Sequence, residues 1–207
     1  MSPRHPVSAR EALRRLEEGN RRFVNNVRSI ESLASSARRA DLVAGQSPFA
    51  VVLSCSDSRA PSEHLFDCGL GDLFVVRVAG NVVAPSIVGS VEFACAAFGT
   101  ELVVVMGHTR CGAVKATVDA LTTGTGAPSE NVRDIVERIA PSVRPLLAEV
   151  SEQTLLLAAT RANILASANH LRHSSRILEG RLAEGRLLVV GAEYALETGH
   201  VDFFDVP

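Results

Sequence analysis

Lysine is nearly missing from this chain of 207 residues, where Lys115 stands alone among the basic residues and arginine supplies the rest. The arginines are scattered through helical stretches and form no basic block interleaved with aromatics. With a net charge of −2, that distribution argues against a nucleic-acid partner. No window approaches the roughly 18 uninterrupted apolar residues that a membrane span requires. The N-terminal stretch "MSPRHPVSAREALRR" has no apolar core of a secretory signal, so the expected location is the cytoplasm and no membrane partner is expected. Cysteine is also scarce: Cys55, Cys68, Cys95 and Cys111 are too few for a disulfide scaffold at this length and are expected to be reduced, which leaves core filler, metal ligand or nucleophile as their roles. Internal repeats and dividing linkers are absent too. The expectation is a single domain over residues 1–207, with a helical arm at 1–45 and an α/β core at 46–207. Heavy use of alanine and arginine beside so little lysine points to a GC-rich bacterial genome.

What is present is an alternation of two periodicities. Ser8 followed by Glu11 fits a capping box, and Leu13, Leu16, Phe23, Val24 and Val27 then recur at helical spacing. A second helical stretch at about 31–44 stops at Gly45. Four runs rich in β-branched residues, at 49–53, 73–78, 101–106 and 187–190, read as strands buried on both faces. Between them lie a short helix opened by Pro61, a longer one at 85–98 closed by Gly99, and another at about 112–121. Such alternation implies a parallel sheet flanked by helices. Pro141 and Pro145 are expected to break the helical segment that follows the loop at 122–129. A long helical region at about 152–183, jointed near Ser174 and Ser175, leads to the last parallel strand, and "ETGHVDFFDV" reads as a turn and an edge strand.

Two short clusters of chemistry-bearing residues fall at the C-terminal ends of predicted strands. Cys55 and Asp57 follow the first strand, and His108 and Cys111 follow the third. Ligands of open parallel sheets bind at that end of the strands, where successive connections diverge, so the clusters meet if the two strands are neighbours. Two sulfurs, an imidazole and a carboxylate suit tetrahedral zinc, whereas magnesium and calcium prefer oxygen alone. Taken singly, His108 reads as a half-buried polar residue and Cys55 as a small core residue; the pairing at two strand ends favours a metal site. Cys68 and Cys95 lack such company and read as structural, and His64, His170 and His173 read as polar helix faces.

"CSDSR" at 55–59 and "GHTRCG" at 107–112, separated by "FVVRVAGN" at 74–81 and "GSVEFA" at 89–94, closely resemble the β-class carbonic anhydrases. The resemblance is dense over residues 46–115 and looser to "VVGAEYALETG" at 189–199. It implies a four-stranded parallel sheet in the order 2-1-3-4 with a C-terminal antiparallel edge strand, and a zinc enzyme interconverting carbon dioxide and bicarbonate, with one zinc per chain. Cys55, His108 and Cys111 would be permanent ligands. Asp57 would exchange between zinc and Arg59, so that a zinc-bound hydroxide attacks the substrate when Arg59 holds the carboxylate. The family's substrate pocket maps onto Gln46, Phe74, Ala79, Phe93 and Gly112, and its assemblies are dimers or dimers of dimers. Gln46 lies nine residues before Cys55, up to roughly 30 Å along an extended chain. A two-fold dimer in which Gln46, Phe74 and Phe93 come from the partner would close that gap, although both phenylalanines also fit plain core packing.

Two positions depart from subgroups of the family. Phe93 stands where plant-type members often carry tyrosine, and Val52 stands where the bicarbonate-regulated subgroup places tryptophan, so that noncatalytic bicarbonate pocket is not expected. Three other readings keep part of this picture: a related hydrolase of the same fold, such as a carbon disulfide hydrolase; a non-catalytic zinc protein with a permanently closed site, against which Arg59 beside Asp57 argues; and a thiol nucleophile, for which His108 is the only base nearby in sequence.

Overall fold

The computed structural model describes residues 7–27 and 35–206. Its centre is a sheet in the order β2-β1-β3-β4-β5. The strands are β1 (Ala50–Ser54), β2 (Leu73–Arg77), β3 (Leu102–His108), β4 (Leu188–Tyr194) and β5 (Val201–Phe204). β5 pairs antiparallel with β4, and the other three pairings are parallel. The family-implied order is therefore the observed one.

Alternation along the strands divides the core into two layers. Ala50, Val52, Val104 and Met106 face α1 (Ala9–Val24), whose Ala12 and Leu16 are fully buried against them. Val51, Leu53, Val103 and Val105 face the opposite layer of α4 (Pro85–Phe98), α8 (Glu152–His173) and α9 (Arg176–Ala183). A third apolar cluster closes the C-terminal end of the sheet, where α5 (Gly112–Thr123) and α6 (Glu130–Val143) pack with α8 around Val114, Ile139, Val143 and Ala159. Cys55 and Cys111 belong to that cluster. Two short helices, α3 (Ser62–Leu65) and α7 (Leu146–Glu149), and α2 (Ser36–Leu42) are the other α-helices among the described residues.

Local chemistry explains the helix ends. The Ser8 hydroxyl accepts from the Glu11 N–H at the start of α1, and Gly99 ends α4 in the left-handed conformation, where a Cβ would be strained. The joint predicted at Ser174 and Ser175 is real, with Ser175 capping α9. Of the second predicted helix, residues 31–34 lie outside the described residues, and α2 covers Ser36–Leu42.

Three expectations need correction. β2 is not buried on both faces: it is the sheet edge, Phe74 and Val75 are half-buried and Arg77 is exposed. Pro141 does not break α6, which runs on to Val143. A proline so close to a helix end removes a single bond, to the carbonyl of Glu137, and that residue is exposed and can turn to water. β3 extends through Gly107 to His108, so His108 ends the strand instead of following it.

Candidate metal centre

Strand register brings the two clusters together. Leu53 pairs with Val105 and Ser54 with Met106, which sets Cys55 beside the Gly107–His108 end of β3. Cys111 is the N-cap of α5, where free backbone N–H groups favour a negative sulfur. The ligand atoms of Cys55, His108 and Cys111 lie within 4.8 Å of one another, and all three residues are buried. The two sulfurs are 3.9 Å apart; two thiolates on a tetrahedral zinc at about 2.3 Å each would be separated by about 3.8 Å.

The imidazole is prepared for the same task. His108 Nδ1 sits 2.9 Å from the Thr109 carbonyl, which can only accept, so Nδ1 carries the proton and the neutral ring presents a bare Nε2. That Nε2 is buried without a hydrogen bond. Such an orphan costs free energy unless an electrophile takes it, and a metal ion between Nε2 and the two sulfurs does so. Contact between the sulfurs separates their ionisation. It holds Cys55 well below the usual thiol range, with His108 and the Gly80 N–H adding to the effect against burial, and it pushes Cys111 well above that range, with burial in the same direction. For His108, burial opposes the charged form, but the Cys55 sulfur, the Thr109 carbonyl and the Asp57 carboxylate together outweigh it, and the net shift is upward.

Asp57 lies at the mouth of this cradle but is turned from it. Its carboxylate accepts from Arg59 Nε at 2.9 Å, from Arg59 Nη2 at 2.7 Å and from the Arg59 backbone N–H at 2.9 Å. Arg59 holds the Asp57 carboxyl well below the usual carboxylate range, burial opposing. Asp57 Oδ2 is 3.7 Å from His108 Nε2, too far for a hydrogen bond. Three protein donors therefore converge, and the fourth expected ligand is held aside within reach.

Two supports of this arrangement escaped the sequence reading. Arg77, at the end of β2, donates to the Cys55 carbonyl at 3.1 Å and to the Asp57 carbonyl at 2.7 Å, pinning the backbone while leaving the Asp57 side chain free to turn. A charged residue closing an otherwise apolar strand was the available signal. Glu197, in the β4–β5 turn, accepts from the Thr109 hydroxyl at 2.9 Å and from Arg110 Nε at 2.7 Å. It thereby clasps the loop between His108 and Cys111, where Arg110 has a left-handed φ of 57°. No local pattern links positions 88 residues apart.

The five pocket positions do not gather within one chain. Gly112 follows Cys111 directly and Ala79 lies in the turn Ala79–Asn81 whose Gly80 touches the Cys55 sulfur. Gln46 is exposed before β1, at the opposite end of that strand from Cys55. Phe74 and Phe93 meet each other and Phe98 on the outer face of β2 and α4, and Phe93 is 55% exposed. Cys68 and Cys95 stand outside the centre, with burial pushing their thiols to about 12 and about 11. His64, His170 and His173 are exposed on helices, as the sequence suggested.

Comparison with known proteins agrees with this geometry. A sequence profile of the carbonic anhydrase family matches residues 50–201. Carbonic anhydrase 2 of Mycobacterium tuberculosis is 42% identical over 199 residues, covering 94% of this chain and 91% of that protein. The solved structure of the β-carbonic anhydrase CcaA superposes with a TM-score of 0.74 at 27% identity, covering 93% of this chain and 95% of that one. A tetrameric β-carbonic anhydrase from Sordaria macrospora shares the fold, with a TM-score of 0.71 at 23% identity over 81% of this chain and 85% of that one.

Proposed function

The chain belongs to the β-carbonic anhydrase family and is an enzyme of that class, and from that premise we propose that it interconverts carbon dioxide and bicarbonate at a zinc ion, one per chain, held by Cys55, His108 and Cys111. The observation that carries the reading is the convergence of three buried donors, one of them a bare Nε2, beside a carboxylate that its arginine keeps away. Bound in this cradle, zinc would acidify a water and so supply the nucleophile at moderate pH.

The protein's own residues supply the rest. Arg59 decides whether three or four protein donors face the ion, because a carboxylate engaged at both oxygens is not free to ligate. Asp57, released, would complete a closed tetrahedral set of the kind found in structural sites. Held by Arg59, it offers an acceptor that orients the reacting water. Arg77 keeps the intervening backbone still, so the exchange is a rotation of one side chain. Ala79 and Gly112 line the pocket from the same chain.

Gln46, Phe74 and Phe93 would complete the pocket in a homodimer or a dimer of dimers, entering from the partner. Exposed Phe93 on α4, in contact with half-buried Phe74 on the β2 edge, supports such an interface. We take residues 1–207 as one domain, with a helical arm at 1–45 preceding the core. A cytoplasmic setting fits four unpaired cysteines. Among the described residues no helix is long and apolar enough to cross a membrane.

Zinc stoichiometry and carbon dioxide hydration measured on one preparation, beside Cys111→Ser, test this function. The expected result is one zinc per chain with activity, both lost in the variant. Hydration by zinc-free protein would overturn the reading, and zinc without hydration at any pH would favour a closed, non-catalytic site.

A further inference from the structure

A buried polar side chain costs free energy unless it is bonded, so each one in this core calls for a partner. Asn163, on α8, is 2% exposed. Its Nδ2 donates to the Gly80 carbonyl at 2.8 Å, across 83 residues of sequence. Gly80 in turn donates its N–H to the Cys55 sulfur at 3.4 Å. The carbonyl and the N–H lie in the two peptide planes that meet at the Gly80 α-carbon, so a hold on the carbonyl fixes one plane and limits how far the other can swing.

Gly80 is where an outside hold is needed. Its φ of 67° and ψ of 17° are left-handed, and glycine itself has almost no preference between hands. A Cβ there would come within 2.8 Å of Ile139 Cδ1 and 3.1 Å of Ala113 Cβ. The position is thus restricted to glycine, and the freedom that glycine brings must be removed from elsewhere. Asn163 removes it on the carbonyl side.

We propose that Asn163 is a positioning residue of the metal centre: by holding the Gly80 carbonyl it aims the Gly80 N–H at the Cys55 sulfur and sets how strongly that sulfur donates to zinc. Asn163 touches neither sulfur nor substrate and acts through Gly80. A hydrogen bond to a ligating sulfur withdraws part of its charge and fixes its direction, the means by which outer partners tune a metal. The inference rests on Cys55 being a zinc ligand.

Asn163→Asp keeps the size of the side chain but sets an acceptor against the carbonyl, and Asn163→Leu removes the polar group altogether. Leu171→Ala, on the same helix, fully buried and remote from the centre, serves as a control for general loss of packing. Zinc content is measured first, then the rate of zinc loss to excess chelator, and then the sulfur-to-metal charge-transfer band of the cobalt-substituted proteins. Both Asn163 variants should lose zinc about tenfold faster and shift the band, and Leu171→Ala should leave the band in place. Loaded variants matching wild type in both readouts would overturn the inference alone, whereas wild type unable to hold zinc would overturn the site assignment and the inference with it. If neither variant folds, amide exchange in zinc-loaded wild type decides: the Gly80 N–H should be protected, and exchange at the rate of an open loop would refute the proposal.

Discussion

Arg59 keeps an exposed guanidinium on a carboxylate two residues away, and three bonds converge on that one group. Replacing it with alanine removes the two side-chain bonds and, on the proposed function, would let Asp57 turn to complete the coordination of the metal. Arg59→Ala should therefore retain its zinc while carbon dioxide hydration falls about tenfold or more; stopped-flow hydration beside metal analysis reads both. Because its pKa is depressed, Asp57 is ionised throughout the working range, so its own titration does not shape the pH profile there. In the proposed site two thiolates would donate more charge to the metal than three histidines, and a water bound there would be harder to ionise. Hydration should accordingly rise from pH 6 to pH 9, and a flat profile over that range would contradict the assignment. The four thiols should also sort by chemistry. Cys68 and Cys95, raised to about 12 and about 11 by burial, stay protonated at pH 8 and should resist iodoacetamide. Cys55, whose thiol is held low, should become alkylated only after a chelator removes the metal, whereas Cys111, pushed up by the Cys55 sulfur and by burial, should resist like the other two, with the modified sites read by peptide mass spectrometry.

At the level of elements, the site depends on how closely helices approach strands. Gly107 lies between the proposed ligand His108 and the buried body of β3, and a Cβ on it would come within 2.7 Å of Ile164 Cδ1 and Cγ1 on α8. Gly107→Ala should cost about 1–3 kcal/mol through overpacking, lowering the melting temperature by roughly 2–4 °C for each kcal/mol in a chain of this size. Differential scanning calorimetry would measure it. This contact shows where sequence reading ends. The strands, the helices at 85–98 and 112–121, and the ligands at their ends were legible because hydrophobic period and capping residues act over a few positions. The strand order came from family likeness, not from period. That β2 forms an edge depends on which strand lies beside it, a long-range fact that Phe74 and Val75 do not reveal locally. Arg77, Asn163 and Glu197 escaped for the same reason, since their partners lie 20 to 88 residues away.

For the whole molecule, the proposed dimer rests on exposed Phe93 and the half-buried Phe74 and Phe98 that it touches. Phe93→Glu should shift the sedimentation coefficient toward that of the 22.0 kDa monomer and depress hydration, since Gln46 would no longer approach a partner's zinc. An unchanged assembly would place the interface elsewhere.

The metal site also bears on how the chain reaches its native pairing. Cys55 continues β1, His108 ends β3, and the two stand side by side only in the register that sets Leu53 against Val105. A slip of one residue between these central strands would turn the side chains of one strand to the opposite layer and carry the sulfur away from Nε2. Zinc bound as proposed would therefore be captured only by a correctly paired sheet. Its uptake would then act as a proofreading step for folding, favouring right register over near misses that would bury almost the same apolar surface.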